Sequence, residues 1–272
     1  MISGAIRAVV EREFKRFIGQ RGRLLSTFVR PLLWLIVIGS GYSAIVSESE
    51  GISYHQYLLP GIFGMVLLFS TMLSALATVH DREFGPIRML LIAPVPRATI
   101  VWAKTLAATL LGSAQALLFI PLLFFLGVRP GPTALVLFIG SVVLTALALA
   151  SFGMLLASRI RSIEGFAVLM NFVIFPMFFL SGALYPAARL PAWLQPVVRI
   201  NPLTYGIDLM KHTLLPHGLG PLGGEFTPTL DVGVLLGFTA VALLLAQALF
   251  GREEHLGRIL LAGTPKRAKR SK

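Results

Sequence analysis

Six stretches of the chain have no acid near their middle and are long enough to cross a bilayer. About 30 Å of hydrocarbon takes roughly 20 residues of helix. The stretches lie near 28–47, 58–79, 102–126, 133–157, 165–186 and 230–250. None alternates with period two, so strands facing lipid are excluded. Only 13% of the 272 residues are charged, against about 25% in an ordinary soluble domain. The expected fold is an all-α membrane protein with six transmembrane helices.

Charge placement sets the expected orientation. The net charge is +12, which in a soluble chain would point to nucleic acid. Here the basic residues cluster beside the uncharged runs, and twenty of the 24 fall on one side of a six-span topology. Only Arg129, Arg189, Arg199 and Lys211 fall on the other. The positive-inside rule then puts both termini in the cytoplasm. The basic tail PKRAKRSK reads as a solvated end drawn to anionic lipid, with no nucleic-acid partner. The chain divides into a cytoplasmic segment 1–27, a transmembrane domain 28–250 and a tail 251–272. The first of these lacks the apolar core of a signal peptide. Arg30 begins the first span, close enough to its end to snorkel to the headgroups.

Three segments outside the spans carry structure. Residues 3–18 read as an interfacial helix with Ile6, Val10, Phe14 and Phe17 on one face, and with a Glu11–Lys15 pair at i,i+4 beside it. In HDREFGPIRMLLIAPVPR, residues 80–97, Asp81 reads as the N-cap of a short helix that Pro94 and Pro96 end. Between the fifth and sixth spans, Pro191 begins a short helix containing Trp193. Asn201-Pro202 is a cap followed by a preorganised first helical residue. Leu203, Ile207, Met210 and Leu214 make its apolar stripe, and Asp208 faces Lys211 or His212. Together these half-helices fit an outer re-entrant hairpin.

Catalytic chemistry is not legible. With no cysteine there is no thiolate ligand or nucleophile. His80, Asp81 and Glu83 are the densest polar group, but no second histidine cluster stands at metal-ligand spacing. No G-x-S-x-G elbow or GxxxxGK[ST] loop occurs. ATP therefore cannot be hydrolysed here by P-loop chemistry, and the span centres lack the ionisable residues of an ion-coupled carrier.

Two segments carry a family resemblance. Asp81 to Leu106, DREFGPIRMLLIAPVPRATIVWAKTL, is similar to the E-R-E-x-G-T-x-E-x-L-x-x-[ST]-P-[VI] segment of type-2 ABC exporter permeases. Arg82, Glu83, Gly85, Leu90 and Pro94 match, while Pro86 and Arg88 replace Thr and Glu. Phe175 to Lys211 resembles the family's fifth span, outer hairpin and N-P-x-x-[YH] stretch, through Asn201, Pro202 and Tyr205. The resemblance spans essentially the whole chain.

It implies a permease subunit that is not an enzyme by itself, paired with a second copy and with separately encoded ATPase subunits that bind ATP and Mg. The coupling residues would be Asp81, Arg82, Glu83, Phe84, Gly85, Arg88, Leu91 and Pro94. The export path would run between the two copies along the second and fifth spans, past Phe69, Met72, Phe166, Asn171, Phe175 and Phe178. Such an aromatic and methionine surface suits amphipathic or lipid-linked cargo, and Asn171 is a mid-span amide on it. The implied location is a bacterial inner membrane. The rival readings are an ATP-independent carrier or lipid flippase, which would work without an ATPase, and a membrane enzyme, which would need a polar constellation.

Overall fold

The computed structural model describes residues 2–19, 21–43, 53–84, 96–160, 162–215 and 223–262. Its helices are α1 (Ile2–Gly19), α2 (Arg21–Ser43), α3 (Tyr54–Glu83), α4 (Arg97–Leu117), α5 (Ile120–Phe125), α6 (Pro132–Arg159), α7 (Ile163–Phe179), α8 (Gln195–Ile200), α9 (Pro202–Leu214) and α10 (Pro228–Ala262). No strand occurs among the described residues.

Among the described residues, four helical stretches are long and apolar enough to cross a membrane: Tyr54–Glu83, Ala98–Phe125, Pro132–Arg159 and Pro228–Phe250. The stretches expected near 28–47 and 165–186 appear as shorter apolar helices, Val29–Gly41 and Ile163–Phe179. The second stops early because a turn follows it. The Leu180 N–H donates to the Pro176 carbonyl, the Ser181 hydroxyl to Phe178, and Gly182 takes φ +74°, which a side chain would resist. The stretch expected at 102–126 is interrupted between α4 and α5. Pro121 lacks the N–H that would bond the Leu117 carbonyl, and the chain turns through Leu118 and Phe119.

The core gathers on α3, whose side chains from Tyr57 to Leu68 are almost all buried, and on α6 beside it. Phe63 and Phe138 meet edge to face, with centroids 4.8 Å apart. Outward-facing residues are apolar instead of charged: Val37 on α2, Val136 on α6, Phe172 on α7 and Leu244 on α10 are all exposed. Such a surface suits hydrocarbon or another apolar chain.

α9 is buried along almost its whole length against α3, α6 and α10. Small residues permit this. A Cβ on Gly206 would overlap Thr145, midway along α6, and one on Gly64 would meet Ile207 at 2.9 Å. Leu203, Ile207, Met210 and Leu214 are all inside. Asn201 caps the helix, its Oδ1 accepting the Leu203 N–H at 3.1 Å, with Pro202 at the first helical position. Pro191 does not begin a helix. It heads a turn holding exposed Trp193, and α8 starts at Gln195, with Pro196 in its first turn.

α1 packs mainly on α4. Its buried stripe is Val9, Glu13 and Phe17, so of the expected face Phe17 is inside while Ile6, Val10 and Phe14 are half-buried beside it. An acid occupies the centre of that stripe because it has cationic partners there. Glu11 and Lys15 do pair on the exposed side, at 2.8 Å.

Candidate functional site

Asp81 does not cap a new helix. α3 runs unbroken to Glu83, and Asp81 sits in its last turn with its carboxylate turned inward. Lys104 Nζ on α4 stands 2.6 Å from Asp81 Oδ2 and 2.6 Å from Glu13 Oε1. Arg12 and Arg16 on α1 reach Asp81 at 2.6 and 3.0 Å. Three cations and two carboxylates thus join α1, α3 and α4. Burial alone would raise the Asp81 carboxyl, but Lys104, Arg12 and Arg16 outweigh it and hold it below the usual carboxylate range. Glu13 is lowered in the same way, by Lys104 and Arg12 against burial.

The next two residues tie α3 to other helices. Arg82 donates to the Ala157 and Ser158 carbonyls at 3.0 and 3.1 Å, the open acceptors at the end of α6. Its guanidinium also lies 4.5 Å from the centroid of Phe250 on α10. The Glu83 carboxylate accepts the Ile163 N–H at 2.8 Å, satisfying a donor at the start of α7 that Ser162 leaves free. Phe84 is 66% exposed, its ring tilted against His80. Gly85, Arg88, Leu91 and Pro94 lie outside the described residues. At this end of the bundle, three consecutive side chains connect α3 to α1, α4, α6, α7 and α10.

A groove of about 310 Å³ opens between α2, α3 and α7. Its walls include Met65, Phe69, Leu73, Met170 and Ile174, with Arg30 and Asn171 as its polar side chains. Arg30 does not reach for the end of the bundle. Its guanidinium carbon lies 4.2 Å from the centroid of the Phe69 ring. Of the residues expected along a path, Phe69 and Asn171 line this groove, and Phe175 is 45% exposed one turn beyond Asn171. Met72, Phe166 and Phe178 are instead buried. Met72 and Phe178 fill the α3-centred core, while Phe166 packs with Ala75, Val79 and Ala157. Phe69 and Met72 are i,i+3 neighbours on α3, with Met72 turned fully into the core and Phe69 half-buried at the margin where the helix borders the groove.

The 180–215 hairpin is pinned by its polar residues. Asn201 donates to the Met177 carbonyl at 2.7 Å, and the Tyr205 hydroxyl to Arg199 at 2.8 Å. Lys211 is buried, donating to the Tyr57 hydroxyl at 3.2 Å. Asp208 accepts the Glu225 and Phe226 N–H groups at 2.7 and 2.9 Å, fixing the 223–227 loop, and of its two expected partners it is His212 that lies beside it, at 3.5 Å. Sequence reasoning missed a trio here: donor atoms of Asp208, His212 and Asp231 lie within 4.8 Å of one another. His212 Nε2 is already 2.8 Å from the Phe226 carbonyl. The i,i+4 spacing of Asp208 and His212 was visible, but nothing local linked either to Asp231.

Among the described residues, an all-helical bundle with apolar outer faces, a buried ionic knot at one end and a groove between helices is the architecture of an all-α membrane protein. The signature of the ABC-2 type transporter family matches residues 4–215. The chain belongs to that family and is a transport permease of the ABC transporter class. It is 30% identical to Nodulation protein J of Rhizobium meliloti (strain 1021) over 84% of this chain and 86% of that protein. Against Inner membrane transport permease YadH of Escherichia coli (strain K12), identity is 26% over 93% of this chain and 96% of YadH. Against transport permease ycf38 of Cyanophora paradoxa, it is 32% over 69% of this chain and 66% of that protein.

Proposed function

We propose that the chain is the membrane subunit of an ATP-driven exporter in a bacterial inner membrane, with six spans and both termini cytoplasmic. Two copies form the pathway. Separate ATPase subunits, which carry ATP and Mg, dock on the segment from Asp81 to Pro94 that includes Gly85, Arg88 and Leu91. Nucleotide-driven closure moves that segment and alternates access to an amphipathic or lipid-linked cargo between the copies. The 180–215 hairpin, with Asn201, Pro202 and Tyr205, dips in from the outer side. Segments 1–27 and 251–272 remain on the inner side against anionic lipid.

The observation that supports this reading best is the triple attachment at the end of α3. Asp81 holds α1 and α4, Arg82 holds α6 and Glu83 holds α7. Whatever pushes on the segment that follows Phe84 is therefore applied to several helices together. The buried Asp81 knot, at native packing density, transmits such a displacement with little loss, and the Arg82 and Glu83 bonds extend it to α6 and α7. The test is affinity purification in mild detergent from the native host. A P-loop ATPase should copurify with the wild-type chain and be lost when Gly85→Trp is introduced, while membrane abundance is unchanged. Absence of an ATPase from the wild-type preparation would overturn the reading.

A further inference from the structure

We infer that the groove between α2, α3 and α7 binds the anionic head of an amphipathic cargo, held by the Arg30 guanidinium and the Asn171 amide, with the apolar body on the surrounding wall. The inference rests on the export reading and adds the chemical class of what is exported.

Phe69 lies near the middle of α3 (Tyr54–Glu83), so either end of that helix is roughly 20 Å away at 1.5 Å per residue. The Arg30 guanidinium rests on this ring, so its charge sits at mid-depth of the bundle. A cation there is costly, and such residues usually face a cavity or pathway and find a counter-charge. Among the described residues no carboxylate pairs with Arg30. Arg30 is exposed on the open side of the groove, and the ring quadrupole it rests on does not neutralise a full charge.

Shape and chemistry then narrow the ligand. A guanidinium offers a planar fork that fits a carboxylate, sulfate or phosphate group through two parallel hydrogen bonds. Asn171 supplies an amide donor and acceptor on the facing helix for a neutral polar group beside the anion. The rest of the wall, Met65, Leu73, Met170 and Ile174, accepts only apolar surface. About 310 Å³ is the low end of a small-molecule site, room for one head and the start of a chain. A resident phospholipid would hold its phosphate near the ends of α3, not at its middle, so the occupant is cargo in passage.

The experiment is a binding titration on the purified permease in neutral detergent, without any ATPase. The probes are the fluorescent fatty acid 11-(dansylamino)undecanoic acid and its uncharged methyl ester. Wild type should favour the acid by about tenfold, the scale of one charge-assisted contact. Arg30→Gln should bind both probes alike at the ester's affinity, Arg30→Lys should keep part of the preference, and Asn171→Leu should weaken the acid more than the ester. Matching elution volumes for wild type and variants separate loss of the site from loss of the fold. Equal binding of acid and ester to wild type, no binding of either, or an undiminished preference in Arg30→Gln would overturn the inference. Since no ATPase is present, failure here leaves ATP coupling standing, and failure of ATPase copurification leaves this result standing.

Discussion

The Glu83 carboxylate, in the last turn of α3, accepts the backbone N–H of Ile163 at the first turn of α7, 2.8 Å away and eighty residues on in sequence. Two helices that both line the groove are thereby joined at one end. Glu83 is thus an internal connector as well as part of the segment matched to the family's coupling pattern.

Replacing Glu83 should separate these roles. Glu83→Gln keeps an acceptor for Ile163 and should retain most transport, whereas Glu83→Ala loses the bond and should uncouple. A helix-capping acceptor of this kind is worth about 0.5–2 kcal/mol. The expected result is near-normal ATPase capture with reduced transport in Glu83→Ala. Equal transport in both variants would confine Glu83 to the surface.

The ionic knot should be far more sensitive to losing its shared cation. Lys104→Met leaves the buried Asp81 and Glu13 carboxylates short of a partner, and removing one member of such a pair costs about 3–5 kcal/mol. The double variant Lys104→Met with Glu13→Gln should recover part of that loss, because it also removes an unpaired charge. Thermal unfolding in detergent reads both. A Lys104→Met midpoint equal to wild type would show that Arg12 and Arg16 suffice.

The same knot sets an acid limit. Asp81 and Glu13 are both held below their ordinary values, 3.8 and 4.5. A carboxyl depressed in the folded state contributes stability above its unfolded pKa and loses it as pH falls through the folded one. Melting temperature should therefore be insensitive to these groups at neutral pH and fall below about pH 4. Asp81→Asn should be less stable at pH 7 and show a shallower decline on acidification. An unchanged decline would place the acid sensitivity elsewhere.

Close packing of α9 predicts a steric effect at Gly206. Gly206→Val would force its side chain into Thr145 and push α9 off α6, at about 1–3 kcal/mol or more. Pairing it with Thr145→Ala should restore part of the loss. If Gly206→Val matches wild type in abundance and melting, the helix does not sit this close to α6.

What the sequence made legible was local or periodic. The uncharged runs located the long helices, and Asn201-Pro202 marked the start of α9, because a cap and a proline act within one turn. The knot was hidden because Glu13, Asp81 and Lys104 are far apart in the chain and each looks like a surface charge on its own. The same distance concealed Arg30, whose meaning depends on Phe69 and the facing Asn171. The division of Met72, Phe166 and Phe178 from Phe69 depends on which face of each helix the fold turns inward. In a chain apolar all round its helices, hydrophobicity carries no such sign.

The central claim, that ATP hydrolysed by a separate subunit drives this permease, is tested most directly in sealed vesicles. The permease is reconstituted with the ATPase that copurifies with it, and movement of 11-(dansylamino)undecanoic acid is followed with and without ATP. The account predicts directional movement that needs ATP, Mg and both proteins, and that stops when the ATPase is omitted. Movement at the same rate from the permease alone, without ATP, would contradict it and leave an ATP-independent carrier.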